Sequence, residues 1–204
     1  PAKGIIVREI DALGGQMSKT ADKTYLQMKM LNTAKGPGVQ SLRAQADKQA
    51  YPRYMRKVLQ QQENLDIIEG MVEDLIIEDN CAKGVILADG QEIKGTIVIL
   101  TTGTYLKSEI LCGDQKYSSG PDEEKESKFL SDRLKALGLR IQRLKTGTPP
   151  RVEINSIDYS KTSLQPGTDD KLAFSYQTDE FMPLKQQLPC YLTYTNEKTH
   201  QIIC

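Results

Sequence analysis

Apolar residues recur at helical spacing at the start of the chain, at Ile5, Ile6, Ile10 and Leu13, and Gly14-Gly15 follows at once. A 3.6-residue period closed by glycine predicts a short helix with a glycine stop. The pattern then fades. From Gly14 to Lys48 the chain is dense in Gly, Lys, Arg, Gln and small residues, and no clear period is read before Val39. That texture predicts ordered backbone wrapped around an anionic ligand in place of a core segment. Val39, Leu42, Ala46, Tyr54, Met55 and Val58 restore helical spacing and predict a helix over 39–61, kinked or divided at Pro52. Its other face would carry Arg43, Lys48, Arg53, Arg56 and Lys57.

Short β-type runs come next. Strands are predicted at 65–70, 72–78 and 83–88, with turns at Asp79-Asn80 and Asp89-Gly90, and a brief strand at 92–94. The β-branched run 96–100 reads as a buried strand ending in Thr101-Thr102-Gly103-Thr104. Residues 127–138 read as a helix stopped by Gly138 and 139–143 as a strand, before two prolines break regular structure. Beyond Val152 turn residues are frequent, with β-type runs at 173–176 and 190–195. The expected class is α/β: a Rossmann-like dinucleotide-binding domain with a β-meander over 1–151, then the start of an inserted α+β domain over 152–204.

Composition narrows the chemistry. The chain has 204 residues, 38% of them apolar, so much of it must be surface or loop. Its 27 basic and 27 acidic residues cancel, so polyanion binding would need a local patch. Cys81, Cys112, Cys190 and Cys204 form no CxxC pair, which argues against a zinc site or redox dithiol and for a reducing, cytoplasmic setting. No apolar run is long enough for a membrane span. His200 is the single histidine, so histidine base chemistry rests on it alone. The chain starts at Pro1 and ends at His-Gln-Ile-Ile-Cys, as an excised piece of a longer protein would.

Several motifs can carry function. Lys35-Gly36-Pro37-Gly38 ahead of a predicted helix suits an anion on backbone N–H groups; a plain tight turn is the alternative. Thr102, Gly103 and Thr104 at a strand's carboxyl end would let a dinucleotide approach the backbone; a plain strand exit is the alternative. Lys145 to Arg151 sets two cations around a proline-fixed loop suited to an anionic or planar group, although a linker reading is preferred on physics alone. The basic helix face reads as solvated, and Cys190 as a buried, inert thiol.

Arg8-Glu-Ile-Asp-Ala-Leu-Gly-Gly15, the Lys35-Gly-Pro-Gly-Val39 turn, Arg43-Ala-Gln-Ala-Asp-Lys48, Thr101-Thr-Gly-Thr-Tyr-Leu106, Arg143-Leu-Lys-Thr-Gly-Thr-Pro-Pro-Arg151 and Leu188-Pro-Cys-Tyr-Leu-Thr-Tyr-Thr195 occur in one chain. In order and spacing they resemble the glucose-inhibited division protein A (GidA) family. That resemblance implies a FAD-dependent enzyme forming 5-carboxymethylaminomethyluridine at the tRNA wobble position. It implies NADH, a methylene-tetrahydrofolate carbon, a GTPase partner, and a homodimer in the full-length protein. With the motifs above it gives a cofactor-binding set of Lys35, Gly36, Pro37, Gly38, Arg43, Val72, Thr102, Gly103, Thr104, Ser127, Lys145 and Arg151; the cysteine spacing gives no metal site. The family's GxGxxG turn and its two important cysteines fall outside the chain, so catalytic residues are unassigned here and the piece alone is expected to be inactive. The competing readings are a flavin- and folate-dependent tRNA uracil methyltransferase and a non-catalytic RNA-binding module.

Overall fold

The computed structural model describes residues 2–203. In chain order the regular elements are α1 (Ala2–Ala12), α2 (Met17–Thr24), β1 (Tyr25–Leu31), β2 (Ser41–Ala46), α3 (Ala50–Gln60), β3 (Val72–Glu78), β4 (Cys81–Leu87), β5 (Glu92–Lys94), β6 (Glu109–Cys112), β7 (Gln115–Ser118), α4 (Leu130–Ala136), β8 (Ser163–Gln165), β9 (Cys190–Leu192) and α5 (Glu197–Ile203). The architecture is mixed α/β. Two compact units divide it: residues up to Asp66 pack with those from Pro150 onward, and Ile67–Pro149 form the other unit. Packing therefore puts the segment after residue 152 with the first 66 residues.

In the first unit α1 stops as its pattern predicts, with Gly14 at φ 91° and its N–H donating to the Asp11 carbonyl at 2.8 Å. The stretch that follows is core. Ser18, Thr20, Asp22 and Thr24 of α2 are all buried, and Met28 in β1 is 1% exposed. β1 and β2 form an antiparallel ribbon, with Met28 opposite Ala44, Met30 opposite Leu42 and Lys29 opposite Arg43. One face of this ribbon joins Val7, Tyr25 and Phe174 in the apolar core. A helix over 39–61 is thus not formed. Strand β2 takes its first part, and α3 begins only at Ala50, so Pro52 lies in the first turn, where its missing N–H costs nothing. The Asp47 carboxylate accepts from the N–H groups of Gln49 and Ala50, both at 2.8 Å, and starts the helix.

The returning segment is held by polar bonds. The Leu188 N–H donates to the Leu26 carbonyl at 2.8 Å, and the Met28 N–H to Gln187 Oε1 at 3.1 Å. β8 and β9 pair antiparallel, with Gln165 opposite Cys190. Only the first part of the expected 190–195 strand forms, and residues 173–176 form none. They loop over two buried carboxylates. Asp22 accepts from the N–H groups of Phe174 (2.9 Å) and Ser175 (2.8 Å) and from the Thr178 hydroxyl (2.6 Å). Asp11 accepts from the Ser18 hydroxyl and from the Tyr176 N–H at 3.0 Å.

The second unit follows its hydrophobic pattern more closely. β3, β4 and β5 make the expected three-stranded antiparallel meander, and Asp79 and Asn80 adopt φ of 49° and 60°, as a two-residue hairpin turn requires. Helix α4, stopped at Gly138 (φ 88°), places Leu130 and Leu134 against Leu75. The β6–β7 hairpin was not legible beforehand. No strand forms at 65–70, 96–100 or 139–143. Ile97 and Ile99 are 79% and 80% exposed, so the 96–100 run is not buried either. A β-branched run becomes a strand when a neighbour takes its N–H and C=O groups, and among the described residues this one has no such neighbour.

Candidate functional site

In the second unit the structure joins two of the expected site residues. The Ser127 hydroxyl donates to the Val72 carbonyl at 3.2 Å, where β3 begins. The Ser127 N–H donates to the Tyr105 carbonyl at 2.9 Å, and the Lys107 N–H donates to the Ser127 carbonyl at 2.7 Å. Ser127 thus ties the meander to the turn that carries Thr102, Gly103 and Thr104. That turn is closed by the Tyr105 N–H on the Thr102 carbonyl at 3.3 Å. At Gly103 an added Cβ would meet only the Tyr105 ring, at 3.7 Å, so the backbone is open to a ligand's approach. Tyr105 donates its hydroxyl to Glu124 at 2.5 Å, and this bond, with burial, raises the phenol above its ordinary range. Lys145 is exposed on an irregular segment whose Arg143 reaches the Lys107 carbonyl at 3.2 Å.

In the first unit Lys35, Gly36, Pro37 and Gly38 are exposed at the tip of the β1–β2 ribbon. One short turn of 3₁₀ helix, Pro37–Val39, follows before β2. The turn is braced by Asn32, whose side chain donates to the Val39 carbonyl at 2.9 Å. The expectation of a helix N-terminus offering N–H groups to an anion is therefore corrected: the element that follows is a strand. Arg43 lies on β2, not on a helix face with Arg53, Arg56 and Lys57. Those three are exposed on α3, where Arg53 turns back to the Gln49 carbonyl at 3.0 Å. Arg151 is exposed at the start of the returning segment.

The ribbon's polar face holds residues that motif reading passed over. Gln27 is 1% exposed. Its amide nitrogen donates to the carbonyls of Gln165 (2.9 Å) and Leu188 (3.2 Å). Its oxygen accepts from Arg43 Nη2 (3.3 Å) and from the Cys190 thiol (3.5 Å). Lys29 donates to Gln165 Oε1 at 3.0 Å. Cys190 is thus half-buried beside an arginine-bound amide, surroundings that its sequence neighbours do not show. The signal existed: Gln27-Met28-Lys29-Met30 and Leu42-Arg43-Ala44-Gln45 both alternate with period 2. Arg43 also lines an open concavity of about 410 Å³ with Lys3 and Ser41. A second, of about 580 Å³, lies beside Met71, Glu73, Glu126 and Lys128, next to the Val72–Ser127 bond. No grouping of metal-ligating side chains occurs among the described residues.

The chain is thus α/β, with a three-stranded meander tied by a serine to a small-residue turn. The family model described as Glucose inhibited division protein A matches residues 1–204, and the chain belongs to that family. It is 57% identical over 203 residues to the tRNA uridine 5-carboxymethylaminomethyl modification enzyme MnmG of Geobacillus kaustophilus, covering 100% of this chain and 32% of the relative. It is 54% identical to the enzyme of the same name from Bacillus mycoides over the same shares. The solved structure of Aquifex aeolicus GidA superposes with a TM-score of 0.90 at 46% identity, covering 99% of this chain and 34% of that one. The chain thus spans about a third of the length of the relatives it matches.

Proposed function

We propose that the protein acts in tRNA modification as a FAD-dependent enzyme forming 5-carboxymethylaminomethyluridine at the wobble position. The observation that carries this reading is 57% identity, along the whole chain, to a relative named for that reaction. In the proposal residues 1–151 serve flavin binding, and residues from 152 begin the region that takes NADH. Val72 and Ser127 hold the meander edge against the flavin's nucleotide half. Thr102, Gly103 and Thr104 give it an open backbone, and Lys35 to Gly38, Arg43, Lys145 and Arg151 supply turns and cations along it. Bound flavin would supply two-electron chemistry. NADH, a methylene-tetrahydrofolate carbon, a GTPase partner and a homodimer complete the proposed working state in the cytoplasm. No helix of the described residues is long and apolar enough to cross a membrane.

The test uses the full-length protein that carries this chain. It should purify with yellow flavin, and with NADH, methylene-tetrahydrofolate and a GTPase partner it should convert the wobble uridine of unmodified tRNA. Ser127→Ala, which loses one neutral hydrogen bond worth about 0.5–1.5 kcal/mol, should weaken flavin binding while leaving the fold. A colourless protein that leaves the nucleoside unchanged would overturn the reading. Fluorescence titration of FAD against residues 1–204 alone should show weak binding or none, and affinity equal to the full-length protein would show that this chain suffices.

A further inference from the structure

Lys29 and Arg43 stand directly opposite each other in the β1–β2 register and project from the same face of the ribbon. Side chains so paired have Cβ atoms about 4.5–5.5 Å apart, and like charges at such positions repel. Neither cation is neutralised. Lys29 rests on Gln165 Oε1 at 3.0 Å and Arg43 on Gln27 Oε1 at 3.3 Å, both uncharged oxygens. Neither residue takes part in an ion pair among the described residues. The Nε of Arg43 is sequestered from solvent and has no hydrogen-bond partner. A buried donor left unmet is costly, so the pair as it stands is unfavourable on two counts.

The surrounding structure nevertheless fixes that arrangement. Gln27 is almost fully buried and all its amide groups are used. Because its nitrogen is committed to the carbonyls of Gln165 and Leu188, its oxygen must face Arg43 and Cys190. The guanidinium is therefore oriented in advance by its Nη2 bond to Gln27. The same arginine borders the open concavity that also contains Lys3 and Ser41, so the Arg43 side of the pair lies beside open space.

We propose that the polar face of this ribbon is a phosphate-binding site, in which Lys29 and Arg43 jointly hold one anionic group and Gln27 is the positioning residue. A phosphoryl group suits the geometry. It offers several oxygens, so one can bridge to an ammonium while others meet the forked guanidinium. A dinucleotide pyrophosphate and a tRNA phosphodiester share this chemistry. The inference rests on the proposed function only for that choice of organic ligands.

The test makes Lys29→Gln and Gln27→Met in the full-length protein and measures ligand-free melting temperature and binding of inorganic pyrophosphate, FAD, NADH and tRNA. Lys29→Gln should raise the ligand-free melting temperature, because it removes the repulsion, and should weaken at least one phosphate-bearing ligand roughly tenfold. Loss confined to FAD or NADH identifies a dinucleotide, and loss confined to tRNA, with a shallower salt dependence, identifies the RNA backbone. Gln27→Met should weaken the same ligand, and restoring an amide with Gln27→Asn should recover part of it. Unchanged affinity for all four ligands in a folded Lys29→Gln protein overturns the proposal, as does a lower ligand-free melting temperature, which would make Lys29 purely structural. Wild-type protein that binds pyrophosphate yet carries no flavin would overturn the proposed function and leave this site standing.

Discussion

Leu75, Leu130 and Leu134 close the core of the unit Ile67–Pro149, with Val72, Ile77 and Val85 packed around them. In the other unit the most deeply buried side chains are Met28, Gln27, Thr20 and Ser18, and Asp11 and Asp22 lie close by at 8% and 5% exposure. The first kind of core is held by area removed from water, which is non-directional and tolerant of small shifts. The second adds to its own apolar cluster of Val7, Tyr25, Met28, Leu42 and Phe174 a set of buried hydrogen bonds between distant parts of the chain. Each such bond adds little net stability, but a partner left alone costs its full desolvation. The polar core should therefore be the more brittle of the two, and the better at fixing side chains in one orientation.

The largest effect should come from Asp22→Ala, which strands the N–H groups of Phe174 and Ser175 and the Thr178 hydroxyl together. A loss of about 3–5 kcal/mol is expected from buried donors left unpaired. Leu75→Ala, the matching deletion in the apolar core, should cost about 2–4 kcal/mol. Urea unfolding of both variants would compare them. A smaller loss for Asp22→Ala than for Leu75→Ala would break the comparison.

Acid should separate the units next. Burial pushes the Asp11 carboxyl upward, but hydrogen bonds from Ser18, Tyr176 and Ser175 outweigh it and hold the group below its ordinary 3.8. A lowered folded value gives stability that is fully present above 3.8 and is lost as pH falls through the folded value. The unit containing Asp11 should weaken below about pH 4, and Asp11→Asn should be less stable at neutral pH but flatter in acid. Urea midpoints from about pH 7 to pH 2 would show it. Parallel curves for wild type and variant would assign the acid response to other carboxylates.

The contrast also explains what could be read from the sequence. The meander, its Asp79-Asn80 turn, α1 and α4 follow from apolar spacing because apolar contacts build them. Residues 17–31 did not, because a helix that buries Ser18, Thr20, Asp22 and Thr24 carries no hydrophobic period. The alternation around Lys29 and Arg43 was legible in principle, yet Val39, Leu42 and Ala46 also fit a helix, and only pairing decides between the two. Residues 96–100 misled in the other direction: strand composition was present without a strand neighbour. Among candidate sites, Val72 with Ser127 was placed by family resemblance, and the hydrogen bond between them was not foreseeable. The surroundings of Gln27 and Lys29 were not legible because they are built by residues more than 130 positions away, Gln165 and Leu188.

A smaller effect is expected at Cys190. Its thiol donates to Gln27 Oε1 at 3.5 Å, and a serine hydroxyl can replace that donor. Cys190→Ser should change stability by less than about 1 kcal/mol and leave tRNA modification by the full-length protein largely intact. Lost activity in a folded, flavin-bound Cys190→Ser protein would give the thiol a chemical role.

The smallest effect should lie on α3, where two sets of cations in one unit can be told apart. Arg43 is held by the buried Gln27 amide and Lys29 by the half-buried Gln165 amide, whereas Arg53, Arg56 and Lys57 are exposed on one helix. Arg53 is occupied by the Gln49 carbonyl and side chain, at 3.0 and 3.3 Å. With 27 basic and 27 acidic residues there is no net field to hold a polyanion against that helix. A true phosphate contact changes the slope of log affinity against log salt by about 0.7–0.9. The triple alanine variant of Arg53, Arg56 and Lys57 should keep the wild-type slope for tRNA to within about one such contact. A drop of about two or more would place α3 in a tRNA footprint and break the distinction between the two sets of cations.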